Sequence, residues 1–327
     1  MSQETAAAFD VVRADGRPAV LELPGDAGSD PVAWATAHRD ALRATVAEHG
    51  AVLVRGLGLG DAGTVGRVGR ELLGTVMTER EGFATRQVLA DGVYSSSEWP
   101  VDQPMCMHHE LSYAREVPGT LLFACLTAPD SGGVTGVSDS HDVLAALPAE
   151  LVARFETEGW LLDRNYTDTV GVGLTASFGT EDRAGIEAYC AARGIECTWQ
   201  SNGDLHTRQR SAAVLNHPVT GRRGWFNQIA FLNEWTLDPM IREYLKFEFG
   251  DDGLPFNSRF GGGAALDEDV VLTINAVYEK HTLREPWRAG DLLIVDNLRM
   301  AHSREAYEGE REIAVVLGDP VTVPAHS

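Results

Sequence analysis

Cysteine is scarce in this chain of 327 residues, which carries only Cys106, Cys125, Cys190 and Cys197. No two of them form C-x-x-C, so neither a disulfide framework nor a zinc or dithiol motif is expected, and reduced thiols suit a cytoplasmic protein. Cations are also few. Lys and Arg number 27 against 48 Asp and Glu, a formal charge of −21, and a field of that sign repels phosphate backbones and anionic lipid. Nucleic acid and membrane are therefore not expected as partners. No window approaches the roughly 18 consecutive apolar residues of a membrane span, and the start, Met1 to Arg17, lacks a basic region followed by an apolar core. Repeats, low-complexity blocks and long Pro/Gly/Ser linkers are missing too, which favours one compact unit with insertions, 1–327, over a string of domains.

What is there reads as a folded protein, 44% hydrophobic and 23% charged. Asp30 as a cap, Pro31 at the first helical position, apolar residues at helical spacing and Gly50 as a stop predict a helix over 31–49. The apolar run 51–54 reads as a buried strand, followed by a glycine-rich turn and a second helix near 63–73. From Val93 to Val137, short β-rich runs separated by Pro and Gly predict an antiparallel sheet. The middle is mixed. Helices are expected over 142–159 with a break at Pro148, and over 180–194, 236–249 and 267–281; strand character returns at 291–295 and 312–317. An N-terminal α/β part, 1–92, thus precedes two strand-rich blocks that flank a mixed helical insertion, 140–285.

Gly58-Leu59-Gly60-Asp61-Ala62-Gly63 matches G-x-G-x-x-G between an expected strand and helix, the setting of a dinucleotide site. Asp61 would set a negative charge against the pyrophosphate, and no regular strand–helix alternation follows, so a plain turn is the better reading. A nicotinamide-dependent oxidoreductase is the alternative it leaves.

Two histidines and one carboxylate can hold ferrous iron while leaving three positions open. The pattern H-x-[DE] occurs at His38-Arg39-Asp40 and at His108-His109-Glu110. His38 and Asp40 lie two apart on a helix and point in different directions. His108 and Glu110 lie in the β-rich block, where alternate residues share a face and can converge. His109 would point the other way, either behind the site or at the surface, and Tyr113 stands where H-E-x-x-H would need histidine. His302 offers a third ligand, following the apolar run 291–297 as it enters a polar turn. Arg311 and Thr135 could offer a cation and a hydroxyl to a carboxylate, although a surface arginine and a turn threonine describe them equally well.

Five segments in order, MHHELSY, FACLTAPDSGGVTGVSDS, HPVTGRRGWFNQ, LPFNSRFGGG and WRAGDLLIVDNLRMAHSREAYEGEREIAVVL, resemble the TauD/TfdA family of iron(II)/2-oxoglutarate-dependent dioxygenases. Within it they resemble the SyrP-like branch, associated with amino-acid modification in nonribosomal-peptide and related specialised metabolism. The resemblance runs from about Val93 to about Pro320. It implies a mainly β fold with helical insertions, a double-stranded β-helix (jelly roll, clavaminate-synthase-like). It places Fe(II) on His108, Glu110 and His302, and the 2-oxoglutarate carboxylate on Arg311 and Thr135, with O2 as the further co-substrate. Glu110 replaces the commoner aspartate, and a retained carboxylate argues against halogenase relatives. Phe256 and Gly261-Gly262-Gly263 depart from the pattern at positions expected on the substrate side.

The chemistry so implied is hydroxylation of an unactivated C–H in an amino-acid-like small molecule, with desaturation, epoxidation or cyclisation reachable from another pose. A substrate tethered to an acidic carrier protein would need a basic patch such as Arg222-Arg223 or Arg208 with Arg210; the net charge tilts towards a free one. Phe226, Asn227 and Gln228 are candidate substrate neighbours. A homo-oligomer is compatible with all of this, and a non-catalytic jelly-roll binding protein is the alternative outside enzymes.

Overall fold

A seven-stranded sheet runs through the computed structural model, which describes residues 7–25, 27–167 and 169–324. Residues 1–6 of the start read above lie outside the described residues. The strand order is Ala19–Glu22, Ala51–Arg55, Leu292–Asp296, Glu116–Thr127, Glu312–Thr322, Val93–Ser95 and Val88–Ala90. Only the first pair is parallel. The middle strands are apolar along their length because both faces are covered. Leu122, Ala124, Ile294, Ala314 and Val316 belong to one core with the helices Pro31–His49 and Ala62–Leu72. Their alternates Leu121, Phe123, Cys125, Leu293, Ile313 and Val315 face the larger core on the other side.

The expected helix start and stop are present: Asp30 accepts from the Ala33 amide at 3.0 Å, and Gly50 takes φ +79°. Asp61 caps the second helix, accepting from the Thr64 amide at 2.8 Å and the Thr64 hydroxyl at 2.7 Å. That carboxylate occupies the helix N-terminus that a pyrophosphate would need. The glycine turn before it packs against Gly28 and Gly290 and is structural.

On the larger core's side lies a three-stranded sheet with Met300–Arg304 between Met105–His108 and Val137–Asp139. Its His302 ring lies 5.1 Å from that of Phe123, so the two sheets meet there. Beyond it, helices Ser140–Ala146 and Ala149–Glu158 break at Leu147-Pro148, and Arg183–Arg193, Pro239–Phe249 and Glu268–Lys280 follow.

The middle also holds a four-stranded antiparallel sheet that hydrophobic periodicity does not show: Glu196–Trp199, Leu205–Ser211, Trp160–Tyr166 and Phe256–Phe260. Asp163 in its centre hides the pattern. Arg208 and Arg259 from the flanking strands pair with it at 2.9 and 2.8 Å, which makes a buried carboxylate tolerable there. Arg208 is therefore not a free docking cation, and Arg223 pairs with Glu156. Gly261 follows the last of these strands against the Glu158 carbonyl, where a Cβ would lie 1.7 Å from the oxygen. Neither Phe256 nor the glycine tract is among the residues that line the cavity around His302. Among the described residues no helix is long and apolar enough to cross a membrane.

Candidate metal centre

His302 lies in the middle of its strand and pairs directly with His108, the last residue of the neighbouring strand. Cross-strand register therefore brings the rings to 4.3 Å, not the strand-end position expected from the sequence. Glu110 is off the strand altogether. The chain turns after His108, with Leu111 fully buried at φ +54°, a conformation rare for a side chain of that kind.

Asn297 holds that turn. Its side-chain oxygen accepts from the Glu110 amide at 2.8 Å, and its amide group donates to the carbonyls of Glu110 at 3.0 Å and Pro118 at 2.8 Å. The His109 Nδ1–H donates to the Asn297 carbonyl at 2.7 Å. His109 is thus completely buried behind the site, against Phe226, and burial pushes its imidazole down to about 4. Sequence reasoning missed Asn297; the one signal was an amide at the end of a buried strand. Asn297→Ala would strand the Glu110 amide and two carbonyls without partners. The expected loss is about 3 kcal/mol of unfolding free energy, measured by urea denaturation of the metal-free protein.

The ligating atoms of His108, Glu110 and His302 all lie within 4.8 Å of one another, and all three residues are buried. His108 Nδ1–H donates to the Cys106 carbonyl at 2.8 Å, which leaves the Nε2 lone pair free. Burial, then the neighbouring His302, lowers His108 to about 3, so it is neutral at physiological pH. Burial alone would raise Glu110; Arg86 and then His302 override it and hold the carboxyl below its usual range. Glu110 Oε1 is buried without a protein partner. His302 Nε2 stands 3.5 Å from Glu110 Oε2, too far for a good hydrogen bond. Ions that take imidazole and carboxylate ligands hold them at about 2.0–2.2 Å, so that gap suits two groups sharing one ion. Two imidazoles, one ionised carboxylate and an unsatisfied carboxylate oxygen fit Fe(II).

Arg311, just before the strand Glu312–Thr322, donates from Nε to the Gly133 carbonyl at 2.9 Å and from Nη2 to Thr135 Oγ1 at 3.2 Å. Burial, then Arg304, lowers it to about 10, so it stays cationic at neutral pH. Gly132 takes φ +65° in that turn, and a Cβ on it would come within 2.2 Å of the Ala306 carbonyl. Only glycine suits it. Arg311 and Thr135 line the same cavity as His108 and His302, with Met105, Phe123, Ile313 and Val315 as apolar walls.

The other H-x-[DE] histidine falls elsewhere. His38 bonds the Trp34 carbonyl one helical turn back and stacks on that indole. Asn227 donates to the Ala213 carbonyl, and Gln228 accepts from Ser112. Phe231, which the sequence did not single out, stacks on His108 at 4.6 Å.

Residues 15–317 match the family described as "Taurine catabolism dioxygenase TauD, TfdA family". The chain is 33% identical over 276 residues to the dapdiamide synthesis protein DdaC of Enterobacter agglomerans, covering 84% of each. It is 27% identical over 280 residues to a clavaminate synthase-like protein of Arabidopsis thaliana, covering 83% of this chain and 82% of that one. The structure of PvcB from Pseudomonas aeruginosa shares the fold with a TM-score of 0.52 at 18% identity, over 94% of this chain and 89% of that one. A second PvcB structure, described as "an Fe, alpha-ketoglutarate dependent oxygenase from an isonitrile synthetic pathway", gives 0.52 at 17% identity over 97% and 94%. These matches leave no place for the nicotinamide reading or for a non-catalytic binding protein. The chain belongs to the TauD/TfdA family and is an Fe(II)/2-oxoglutarate-dependent dioxygenase, with iron as its metal and 2-oxoglutarate and O2 as co-substrates.

Proposed function

We propose that this dioxygenase hydroxylates an unactivated C–H of an amino acid or amino-acid-derived small molecule in the cytoplasm, as a step of specialised metabolite biosynthesis. The observation that carries the reading is the approach of His108, Glu110 and His302 to within 4.8 Å beside the Arg311–Thr135 pair. The substrate class draws on the likeness to a dapdiamide synthesis protein.

In this reading His108, Glu110 and His302 hold iron, and Arg311 with Thr135 takes the far carboxylate of 2-oxoglutarate by charge-assisted hydrogen bonds. Iron and 2-oxoglutarate, when bound, supply with O2 the power to oxidise an unactivated C–H, releasing succinate and carbon dioxide. The chain's own work is placement. The Cys106 carbonyl orients the His108 ring, Phe231 covers its face, and the apolar walls limit water around the reacting atoms. The two sheets enclosing the cavity are read as a jelly roll of clavaminate-synthase-like type in one catalytic domain, 1–327, with 1–92 packed on it and 140–285 inserted. The ion-paired state of Arg208 and Arg223 favours a free substrate over one delivered on an acidic carrier.

The test is succinate formation from 2-oxoglutarate by purified protein with Fe(II) and ascorbate across an amino-acid panel. Iron-dependent succinate, raised by one panel member whose product gains a single oxygen, is the expected result. Product lighter by two hydrogens would point to desaturation at the same site. Absence of iron-dependent succinate throughout the panel would sink the proposal.

A further inference from the structure

We propose that Arg86 is a positioning residue for the metal-binding carboxylate of Glu110, itself braced by Glu79; this rests on the iron assignment made above. Arg86 lies between the helix Ala62–Leu72 and the strand Val88–Ala90, outside every segment that marks the family in the sequence. Its side chain is only 5% exposed. Nη2 donates to Glu110 Oε2 at 2.9 Å, and Nε lies 3.2 Å from Glu79 Oε2, so the three form a buried acid–base–acid row that ends at the metal cluster. The guanidinium also lines the cavity shared by His108, His302, Thr135 and Arg311.

Of the other buried arginines, Arg55 also pairs two carboxylates, Glu285 and Asp291, but neither belongs to the metal cluster, whereas one of the two acids on Arg86 is Glu110. Arg164 spends its donors on the carbonyls of Glu81 and Gly82, and Arg304 on those of Pro100 and Gln103, tying loops together. Arg86 does neither. Its protein partners are two carboxylates, Glu110 by a hydrogen bond and Glu79 by ion pairing alone, and Nε and Nη1 are both buried without a hydrogen-bond partner. A glutamate side chain turns about three bonds, so a carboxylate that must meet an ion in one orientation needs an external hold. The planar guanidinium gives one by fixing Oε2 while Oε1 keeps no protein partner. Glu79 offsets the guanidinium's charge and limits the repulsion that a lone cation would exert on an incoming metal.

Direct Co(II) titration of the full chain, followed by calorimetry and by the absorption bands of bound Co(II), tests this without turnover. Arg86→Gln is expected to weaken Co(II) about 10–100-fold and to alter the bands, with Arg86→Lys recovering part of both. Glu79→Gln should weaken binding in the same direction by less, and it serves if circular dichroism shows that Arg86→Gln does not fold. A folded Arg86→Gln with wild-type affinity and spectrum overturns the proposal. Tighter binding does so too, since it would show the guanidinium competing with the ion. Wild-type protein that takes up no Co(II) overturns the iron assignment along with it.

Discussion

His302→Ala is expected to cut iron-dependent succinate formation by at least about 10³-fold, a loss of about 4 kcal/mol in transition-state stabilisation. The variant leaves one imidazole and one carboxylate, and two ligands from the chain neither select the ion nor orient the positions left for co-substrates. Its effect on folding should be small by comparison. His302 Nδ1 has no hydrogen-bond partner to lose, and the strand's pairing with its neighbours is made by backbone. Metal-free wild type and variant should therefore unfold within a few degrees of each other, while only the wild type is stabilised by added metal. His38→Ala, which removes the other H-x-[DE] histidine, should leave turnover unchanged because that ring serves its own helix. Wild-type turnover in His302→Ala would take this residue out of the site.

The site was legible in part, and for a reason that the structure revises. Strand alternation suggested that His108 and Glu110 share a face, yet Glu110 stands beyond the strand and reaches the cluster through a left-handed Leu111. The hold on that turn comes from Asn297, 187 residues away, and no local pattern encodes a contact of that range. Arg86 is invisible for the same cause, being a lone arginine in a loop whose meaning is its distance to Glu110. The fold divides similarly. The helix Pro31–His49 was readable because cap, first-turn proline and terminal glycine all agree. The strand Trp160–Tyr166 was not, because Asp163 breaks its apolar pattern and is neutralised only by arginines that two other strands bring alongside.

Arg311→Gln should raise the KM for 2-oxoglutarate about 10²–10³-fold while costing little or no stability. Among the described residues its partners are a carbonyl and a hydroxyl, both neutral, and the charge closest in effect is the like-signed Arg304. Burial with no counter-ion is what drives the guanidinium down to about 10. The sign follows: a cation whose folded pKa is depressed destabilises the folded state at every pH below that value, including neutrality. In the proposed function an anion from outside completes that charge, and the far carboxylate of 2-oxoglutarate is the anion the chemistry brings. Two charge-assisted hydrogen bonds at about 1.5–3 kcal/mol each account for the loss in affinity. Thr135→Val, which removes one neutral hydroxyl, should cost about tenfold. Thermal unfolding at neutral pH separates binding from folding. The wild type should gain stability on adding 2-oxoglutarate with metal, whereas Arg311→Gln should begin no lower and gain almost nothing. Equal stabilisation of both by 2-oxoglutarate would place its carboxylate on some other cation.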